Sequence, residues 1–232
     1  MNWALENSSY VLQLTGMHLL QSVLPVLIGA LVAVPLARVA AGTRALRALF
    51  VTGSSLLYTI PSLTLFVVLP LLLGTQITSV LNVVVALTLY VVAILVRSSV
   101  DAFEAVDRDV LRASDAMGYR PLRRFFAVEL PLAVPVLVAG LRVATVSNIS
   151  MVSVGAVIGV QSLGTLFTDG LRRAIVDEIA VGIVLTVVLA VVLDLALRAV
   201  GAALTRWQRA GRSANRRSRR RALLPAARGA TA

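Results

Sequence analysis

The sequence predicts an all-α, polytopic membrane protein with about five transmembrane helices, and three observations support this. Of its 232 residues, 58% are hydrophobic and only 14% are charged, and a water-soluble domain of this size would expose too much of that apolar surface. The apolar residues come in blocks of about 20, the length with which an α-helix crosses the hydrocarbon layer. A β-barrel is disfavoured because barrel strands alternate apolar and polar residues over about ten positions.

Five apolar blocks follow one another along the chain. They cover residues 18–39, 48–73, 77–96, 131–160 and 179–200. Because the chain start lacks the basic region of a cleavable signal peptide, we interpret residues 1–17 as an external N-terminal segment and the first block as a retained span. The membrane domain then covers residues 18–200, and residues 201–232 form a basic, disordered cytoplasmic tail.

Helix-breaking residues interrupt several of these blocks. They are Pro25 and Pro35 in the first, Gly53, Pro61 and Pro70 in the second, and Pro131 and Pro135 in the fourth. A proline removes one backbone hydrogen bond, which lipid tolerates only where neighbours or water satisfy the freed carbonyl. Such kinked spans are typical of a transporter rather than of a simple anchor. Gly155 and Gly159 form a G-x-x-x-G pair that serves packing within the bundle or, alternatively, a contact between two chains.

The arginines divide unevenly between the two sets of connections, and every basic residue of the chain is an arginine. One set holds Arg38, Arg44, Arg47, Arg97, Arg108, Arg112, Arg120, Arg123, Arg124, Arg198 and the tail, whereas the other holds only Arg172 and Arg173. Because short cytoplasmic loops retain basic residues, this places the N-terminus outside and the C-terminus and the 97–130 connection in the cytoplasm.

The tail and the metal-binding residue types lead to expectations about partners. Nine arginines lie between residues 206 and 228, which indicates membrane lipids as their partner. No nucleic-acid-binding motif accompanies them, so no nucleic acid is expected. The chain has no cysteine, and its single histidine is His18, which excludes disulfides and a histidine metal cluster. We expect no cofactor in this chain.

The 97–130 connection is the one long charged segment between two apolar blocks. Asp107 is placed to cap a helix that begins near Arg108, Gly118 to end it, and Pro121 to open the next helix. The sequence therefore predicts a short helical hairpin at the membrane surface.

One face of the first predicted helix in this hairpin is small and apolar. It carries Val110, Leu111, Ser114, Met117 and Gly118 at spacings of three and four residues. Glu104 and Arg108, four residues apart, are expected to form an ion pair at its start. Such a face suits docking into the groove of a partner protein. The alternative is that the face packs back on the protein's own helix ends. Periodicity alone favours this alternative.

The same segment resembles the EAA signature of ABC importer permeases, which reads Glu-Ala-Ala, three residues, Gly, nine residues, Ile, one residue, Leu-Pro. Here Ala113-Ser114 is followed at the same spacing by Gly118, Val128 and Leu130-Pro131. Arg112 replaces the family's glutamate. The resemblance implies that the segment couples the chain to an ATPase. The implied coupling residues are Arg112, Ala113, Ser114, Asp115, Met117, Gly118, Val128, Leu130 and Pro131.

Further stretches resemble the permeases of osmoprotectant importers. They are Thr-Ile-Pro-Ser-Leu at 59–63, Ala-Leu-Thr-Leu-Tyr at 86–90, Glu-Leu-Pro-Leu-Ala at 129–133, Ala-Gly-Leu-Arg at 139–142, Ala-Thr-Val at 144–146, Asn-Ile at 148–149, Ile-Gly at 158–159 and Leu-Gly at 163–164. The chain departs from the family at Tyr58, where glutamine is usual, at Ser147, where tryptophan is usual, and at Gln161-Ser162, where Gly-Gly is common.

This resemblance implies a bundle like that of the methionine-importer permease, in the inner membrane of a bacterium. The implied partners are an ABC ATPase subunit that binds the ATP, an extracytoplasmic solute-binding protein, and a second permease copy or a sister permease. The implied substrates are osmoprotectants such as glycine betaine, choline or proline. A permease of the same fold for amino acids or other small polar solutes stays open, as does an ion-gradient-driven transporter subunit.

Polar residues at membrane depth are the candidates for a substrate path. They are Tyr58, Ser62, Tyr90, Arg142, Ser147 and Asn148, with Ser150 beside them. Hydrogen bonding between helices is an equally expected role for each. Because a charge inside the membrane is usually paired, Arg142 is expected to pair with Asp194, for which Arg198 competes. The outer segment 161–178 is expected to be a solvated loop or, alternatively, a contact for the external binding protein.

Overall fold

The computed structural model describes residues 2–206, and this part of the chain contains helices and no β-strand, as predicted. The helices are α1 (Asn2–Glu6), α2 (Ser8–Ala40), α3 (Arg44–Thr59), α4 (Ser62–Leu73), α5 (Val80–Glu104), α6 (Arg108–Ala116), α7 (Pro121–Arg124), a π-helix (Phe125–Glu129), α8 (Leu130–Gly155), a 3-10 helix (Ala156–Ile158), α9 (Gly164–Arg173) and α10 (Val176–Leu204). Most of the predicted basic tail lies outside the described residues.

The helices supply the predicted number of membrane spans. In the described residues, four helical segments are long and apolar enough to cross a membrane: α2, α5, Pro121–Ile158 and α10. A bent pair, α3 and α4, supplies a fifth span if the two helices are counted together. Pro121–Ile158 is continuous because α7, the π-helix, α8 and the 3-10 helix follow one another without a break.

Helix α5 forms the centre of the bundle and packs against α2, α3 and α8. Two glycines on the neighbouring helices allow this close approach. A Cβ atom at Gly29 in α2 would lie 2.4 Å from Cγ1 of Val91, and one at Gly140 in α8 would lie 2.4 Å from Oγ of Ser98. The core positions of α5 are fully enclosed, as Val83 and Leu87 show.

The first span begins earlier than predicted, since α2 starts at Ser8 rather than near residue 18. The reason is tertiary packing at the end of the bundle that holds the N-terminus. Leu14 is completely buried there in a cluster with Leu163 and Leu166 of the 161–178 segment. Residues 8–17 of the predicted external segment are therefore helical and continuous with the first span.

The second predicted block, residues 48–73, is not one straight helix. Its chain turns by 99° between α3 and α4, and Ile60 at the turn has an extended backbone with φ −67° and ψ 127°. Pro61 explains the turn because a proline disfavours helical geometry in the residue before it.

The 161–178 segment differs from the expected solvated loop because it folds into α9, which packs on α10. Gly182 of α10 lies against Phe167, and a Cβ atom there would approach that ring to 2.8 Å. Of the G-x-x-x-G pair, Gly155 lies against Val83 of the same chain. Gly159 ends the 3-10 helix with φ +87°. The pair thus serves packing within the bundle.

Candidate coupling site and substrate path

The predicted hairpin in the charged connection is present, and we call residues 107–121 the knob. Asp107 caps α6, since its Oδ1 accepts a hydrogen bond from the N–H of Asp109 at 2.8 Å. Gly118 ends α6 with a left-handed φ of +79°, a conformation that favours glycine. Pro121 occupies the first turn of α7. The knob therefore leads directly into the long span formed by α8.

The predicted apolar face of α6 is partly buried against the chain and partly exposed to solvent. Ser114 is buried, and its hydroxyl donates to the carbonyl of Leu111 at 2.6 Å. Leu111 packs against the cluster around Val100 and Phe103. Met117, in contrast, is 69% exposed. One edge of the face thus packs on the chain itself, and the other stays free for a partner.

Arg112, which replaces the family's glutamate, points into solvent with a side chain 79% exposed. Its guanidinium lies 3.3 Å from Asp109, one turn earlier in α6. Ala113 beside it is also exposed. The altered position therefore changes the charge of the free edge of the knob and not its shape.

An ion-pair chain ties the knob to two spans. Asp115 of α6 pairs with Arg124 of α7. Nε of Arg124 lies 2.8 Å from the carboxylate of Glu129, and Nε of Arg38 in α2 lies 2.6 Å from the same carboxylate. Glu129 is 5% exposed, so it bridges two helices from a nearly buried position.

The remaining coupling residues lie around this bridge. Val128 belongs to the π-helix that ends at Glu129, Leu130 packs against the cluster that includes Ala37 and Ala133, and Pro131 lies in the first turn of α8. Sequence reasoning missed Glu129 and its arginines. The sequence did contain a signal for this pair. Glu129 directly precedes one apolar block and Arg38 lies at the end of another, so the two charges are expected at the same side of the membrane.

The ion pair expected between Glu104 and Arg108 is not formed. Glu104 instead lies 2.9 Å from Arg47 of α3. The reason is that α5 extends to Glu104 and ends there, whereas Arg108 begins α6 after a turn. The two residues are therefore not on one helix, and the i,i+4 spacing does not apply.

Three candidates for the substrate path meet at the bend between α3 and α4. The rings of Tyr58 and Tyr90 stand edge to face, 5.8 Å between centroids. Tyr90 is buried, and its hydroxyl donates to the carbonyl of Ile60, a group at the break of the helix. Tyr58 is 44% exposed, and Ser62 begins α4 beside the bend. Tyr90 thus holds the bend while Tyr58 presents a free aromatic surface.

Other candidates make contacts between helices or within one helix. Asn148 is 2% exposed, and its Nδ2 donates to the carbonyl of Ser22 at 2.6 Å. Ser150 donates to the carbonyl of Val146 in its own helix at 3.4 Å. Ser147 is half-buried on α8. Asn148 therefore joins α8 to α2 and does not line an open path in this conformation.

A buried polar seam between α2 and the backbone at residues 149 and 161 was also missed. Nε2 of His18 lies 3.1 Å from the carbonyl of Ile149, and Nε2 of Gln21 donates to the carbonyl of Gln161 at 2.8 Å. The sequence signal was available, because His18, Gln21 and Ser22 repeat at helical spacing inside an apolar block.

Arg142 and Asp194 form the expected pair across α8 and α10. Nε and one terminal nitrogen of Arg142 lie 2.6 and 3.2 Å from the two carboxylate oxygens of Asp194. Arg198, the competing partner, also reaches Asp194 at 2.8 Å. Asp194 thus pairs with Arg142 and with Arg198 at the same time. The charge of Arg142 within the membrane is neutralised by a bidentate contact with this carboxylate.

The 161–178 segment places charged side chains around one buried acid, Glu178. Arg172 and Arg173 of α9 are exposed, Asp169 is half-buried, and Glu178 in the first turn of α10 is 1% exposed. Nη1 of Arg173 lies 3.8 Å from Glu178. This end of the bundle offers α9 as a charged surface, at the opposite end from the knob.

Comparison with known families shows what the architecture resembles. The family model described as the binding-protein-dependent transport system inner membrane component matches residues 19–209. The match includes α2 from residue 19 onward and every element from α3 to α10, the knob among them.

Two curated relatives share about a third of their residues with the chain. The osmoprotectant import permease protein OsmW of Salmonella typhimurium is 32% identical over 207 residues, covering 88% of this chain and 96% of the relative. The glycine betaine/carnitine/choline transport system permease protein OpuCD of Bacillus subtilis is 32% identical over 193 residues, covering 83% of each.

A solved structure shows the same fold. A chain of the MetNI methionine ABC transporter in an inward-facing conformation superimposes with a TM-score of 0.74 at 21% identity, covering 84% of this chain and 96% of that chain. The bent α3 and α4 pair, the knob and the long α8 thus belong to an architecture already seen in a transporter.

Proposed function

Since this chain belongs to the family of binding-protein-dependent transport system inner membrane components, and is therefore a permease subunit of an ABC importer, we propose that it translocates osmoprotectants such as glycine betaine, choline or proline. The relatives named for osmoprotectant and glycine betaine transport support this substrate class. The observation that carries it in this structure is the free aromatic face of Tyr58 at the bend between α3 and α4.

The chemistry of these solutes fits such a face. Glycine betaine and choline carry a quaternary ammonium group, which has no N–H to donate and is recognised by the electron-rich face of an aromatic ring. Tyr90 fixes the position of Tyr58 by edge-to-face contact and by its own bond to Ile60. A single aromatic face gives weak binding, which suits a path that must also release its substrate. The strong selection then lies in the external binding protein.

Uptake by the reconstituted importer tests this proposal. The permease is assembled with its ATPase and binding protein in proteoliposomes, and ATP-dependent uptake of labelled glycine betaine, choline and proline is compared with uptake of methionine. Tyr58→Ala is expected to slow quaternary ammonium uptake about threefold to tenfold, the worth of one cation–π contact. Tyr58→Phe keeps the ring and should keep the rate. Methionine uptake with no uptake of the osmoprotectants would establish the amino acid alternative.

For the ATPase partner, we propose docking on the free edge of the knob, formed by Arg112, Ala113 and Met117. ATP binding then moves the ATPase together with α6, and the ion pairs of Asp115 and Glu129 pass that movement to α7, α8 and α2. The chain itself performs no bond-making chemistry in this scheme.

Co-purification of the ATPase tests the docking. Gly118→Asp adds a side chain at a backbone φ of +79° and should abolish co-purification, because the end of α6 changes shape while the spans stay intact. Gly74→Asp is the matched control, since Gly74 also has a positive φ, +66°, and ends α4 away from the knob. Retention of the ATPase by Gly118→Asp would contradict the docking.

The assembly and its placement complete the proposal. The 18–200 membrane domain sits in a bacterial inner membrane with the N-terminus outside and the knob, within the 97–130 connection, in the cytoplasm. The external binding protein meets the end that carries α9. A second copy pairs through α3, which has no buried residue in the single chain; a sister permease is the alternative, because Arg112 marks a knob that differs from the family pattern.

A further inference from the structure

A cavity lined by arginines lies behind the knob. Its volume is about 740 Å³, and it opens between the α2 to α3 connection, the end of α5 and α6. Five arginines line it: Arg38, Arg44, Arg47, Arg108 and Arg124. Two acids, Glu104 and Glu129, line it as well. The lining thus carries three positive charges in excess of the negative ones.

The two lining acids are already engaged. Glu129 pairs with Arg38 and Arg124, and Glu104 pairs with Arg47. Arg44 and Arg108 make no ion pair with an acid of the described residues 2–206. Arg44 and Arg108 therefore supply two of the three excess charges, and they come from two different elements, α3 and α6. The third arises because Arg38 and Arg124 share the single carboxylate of Glu129.

The backbone adds to the positive potential at this site. The first turn of α3 lines the cavity through Thr43 and Arg44, and the leading N–H groups of a helix lie outside its hydrogen-bond ladder. Thr43 satisfies only the N–H of Leu46 through its hydroxyl. A helix N-terminus and unpaired guanidinium groups both favour an anion, and a phosphate group suits them best.

We propose that this cavity binds a phosphate-bearing anion through Arg44 and Arg108, with the headgroup of an anionic phospholipid as its best-placed source. The volume exceeds what a bare phosphate ion needs, and the apolar side chains of Phe103, Val106 and Leu111 line the rest. Basic pockets at the membrane surface between helices have this composition where they hold lipid headgroups. An occupant that joins Arg44 to Arg108 fixes α6, and hence the knob, relative to α3.

Lipid binding to the purified full-length permease tests the proposal. Native mass spectrometry measures retention of phosphatidylglycerol and of phosphatidylcholine by the wild type, by Arg44→Ala/Arg108→Ala, and by the control Arg172→Ala/Arg173→Ala at the other end of the bundle. All three keep the arginine-rich tail, so its contribution cancels. We expect the cavity variant to bind phosphatidylglycerol about tenfold more weakly or worse, as loss of charge-assisted hydrogen bonds implies. Phosphatidylcholine should bind all three alike.

Inorganic phosphate distinguishes the two sources of the anion. If the cavity variant loses binding of inorganic phosphate by calorimetry while its phosphatidylglycerol retention matches the control, the site takes a soluble phosphate compound. Equal binding of both probes by the cavity variant and the control overturns the proposal. Should the double variant fail to stay monodisperse in detergent, Arg108→Gln removes one exposed charge and gives the same comparison. These readouts need no transport, so they are independent of the substrate.

Discussion

Glu129 is the residue at which the charges of the knob meet the membrane bundle. It accepts from Arg38 of α2 and from Arg124 of α7 while nearly buried. Two charged partners compensate for its loss of water, and removal of a buried acid leaves those partners uncompensated. In the proposed coupling scheme, the residue therefore contributes both to stability and to the transmission of movement.

Replacement of Glu129 should therefore have two effects. Glu129→Ala is expected to lower the free energy of unfolding by about 3 kcal/mol and to uncouple ATP hydrolysis from uptake. Thermal unfolding and the ratio of solute transported to ATP hydrolysed measure these effects. Asp109→Ala is the control, because its pair with Arg112 is exposed on both sides and such pairs contribute little. An unchanged melting temperature in Glu129→Ala would rule out the bridging role.

Single residues were predictable where the membrane itself sets the rule. Arg142 had to find a partner at its depth, and Asp194 was available within another span, so the pair followed from placement alone. Glu129 did not follow, because its partner Arg38 is remote in sequence and many arginines lie nearby. For Asn148 the sequence left a substrate path and a hydrogen bond between helices equally open, and only the packing of α8 on α2 shows that its partner is the carbonyl of Ser22.

At the scale of elements, Pro61 differs from the other prolines of the spans because the helix breaks only there. Pro25, Pro35, Pro70 and Pro135 lie inside helices that continue through them. Pro61 alone of these five ends its helix with a turn of 99°. Its difference is tertiary, since the buried hydroxyl of Tyr90 satisfies the carbonyl of Ile60 that the bend sets free. The sequence therefore predicts a break, while its angle depends on α5.

Helix α2 offers a matched test of close packing. Gly29→Ala would place a methyl group 2.4 Å from Val91 and should destabilise the protein by about 1 to 3 kcal/mol, the usual cost of overpacking. Gly16→Ala in the same helix meets nothing within 4 Å and should be neutral or stabilising by up to about 1 kcal/mol, since alanine favours helix. Melting temperatures of the purified variants are the measurement. Equal values for the two would contradict the packing of α2 on α5.

At the scale of the whole molecule, the spans and their orientation rest on different kinds of signal. The apolar blocks predict the spans because lipid leaves the backbone few alternatives to a helix. The fold of 161–178 into α9 was not predictable from the same blocks, since its charges suggest solvent while Leu166 and Gly170 pack inward. The orientation rests on the arginines alone, and labelling can test it directly.

Introduced cysteines report the orientation because the chain has none of its own. Arg172→Cys should react with a membrane-impermeant maleimide in intact cells, since α9 lies on the outer face of the proposed topology. Arg120→Cys, at an exposed position of the knob outside the proposed docking edge, should react only after the cells are permeabilised. Labelling of Arg120→Cys in intact cells, with Arg172→Cys protected, would reverse the orientation.

The continuous helix from α7 through the π-helix into α8 can act as a lever arm, since a small rotation at one end produces a larger displacement at the other. Helix α8 has 26 residues, so it extends about 39 Å from Glu129, and a rotation of about 10° at that end displaces the other by about 7 Å. A displacement of that size is comparable to the width of a small solute. Under the proposed coupling, a modest turn of the knob would be enough to open or shut a passage for such a molecule at the other face of the membrane.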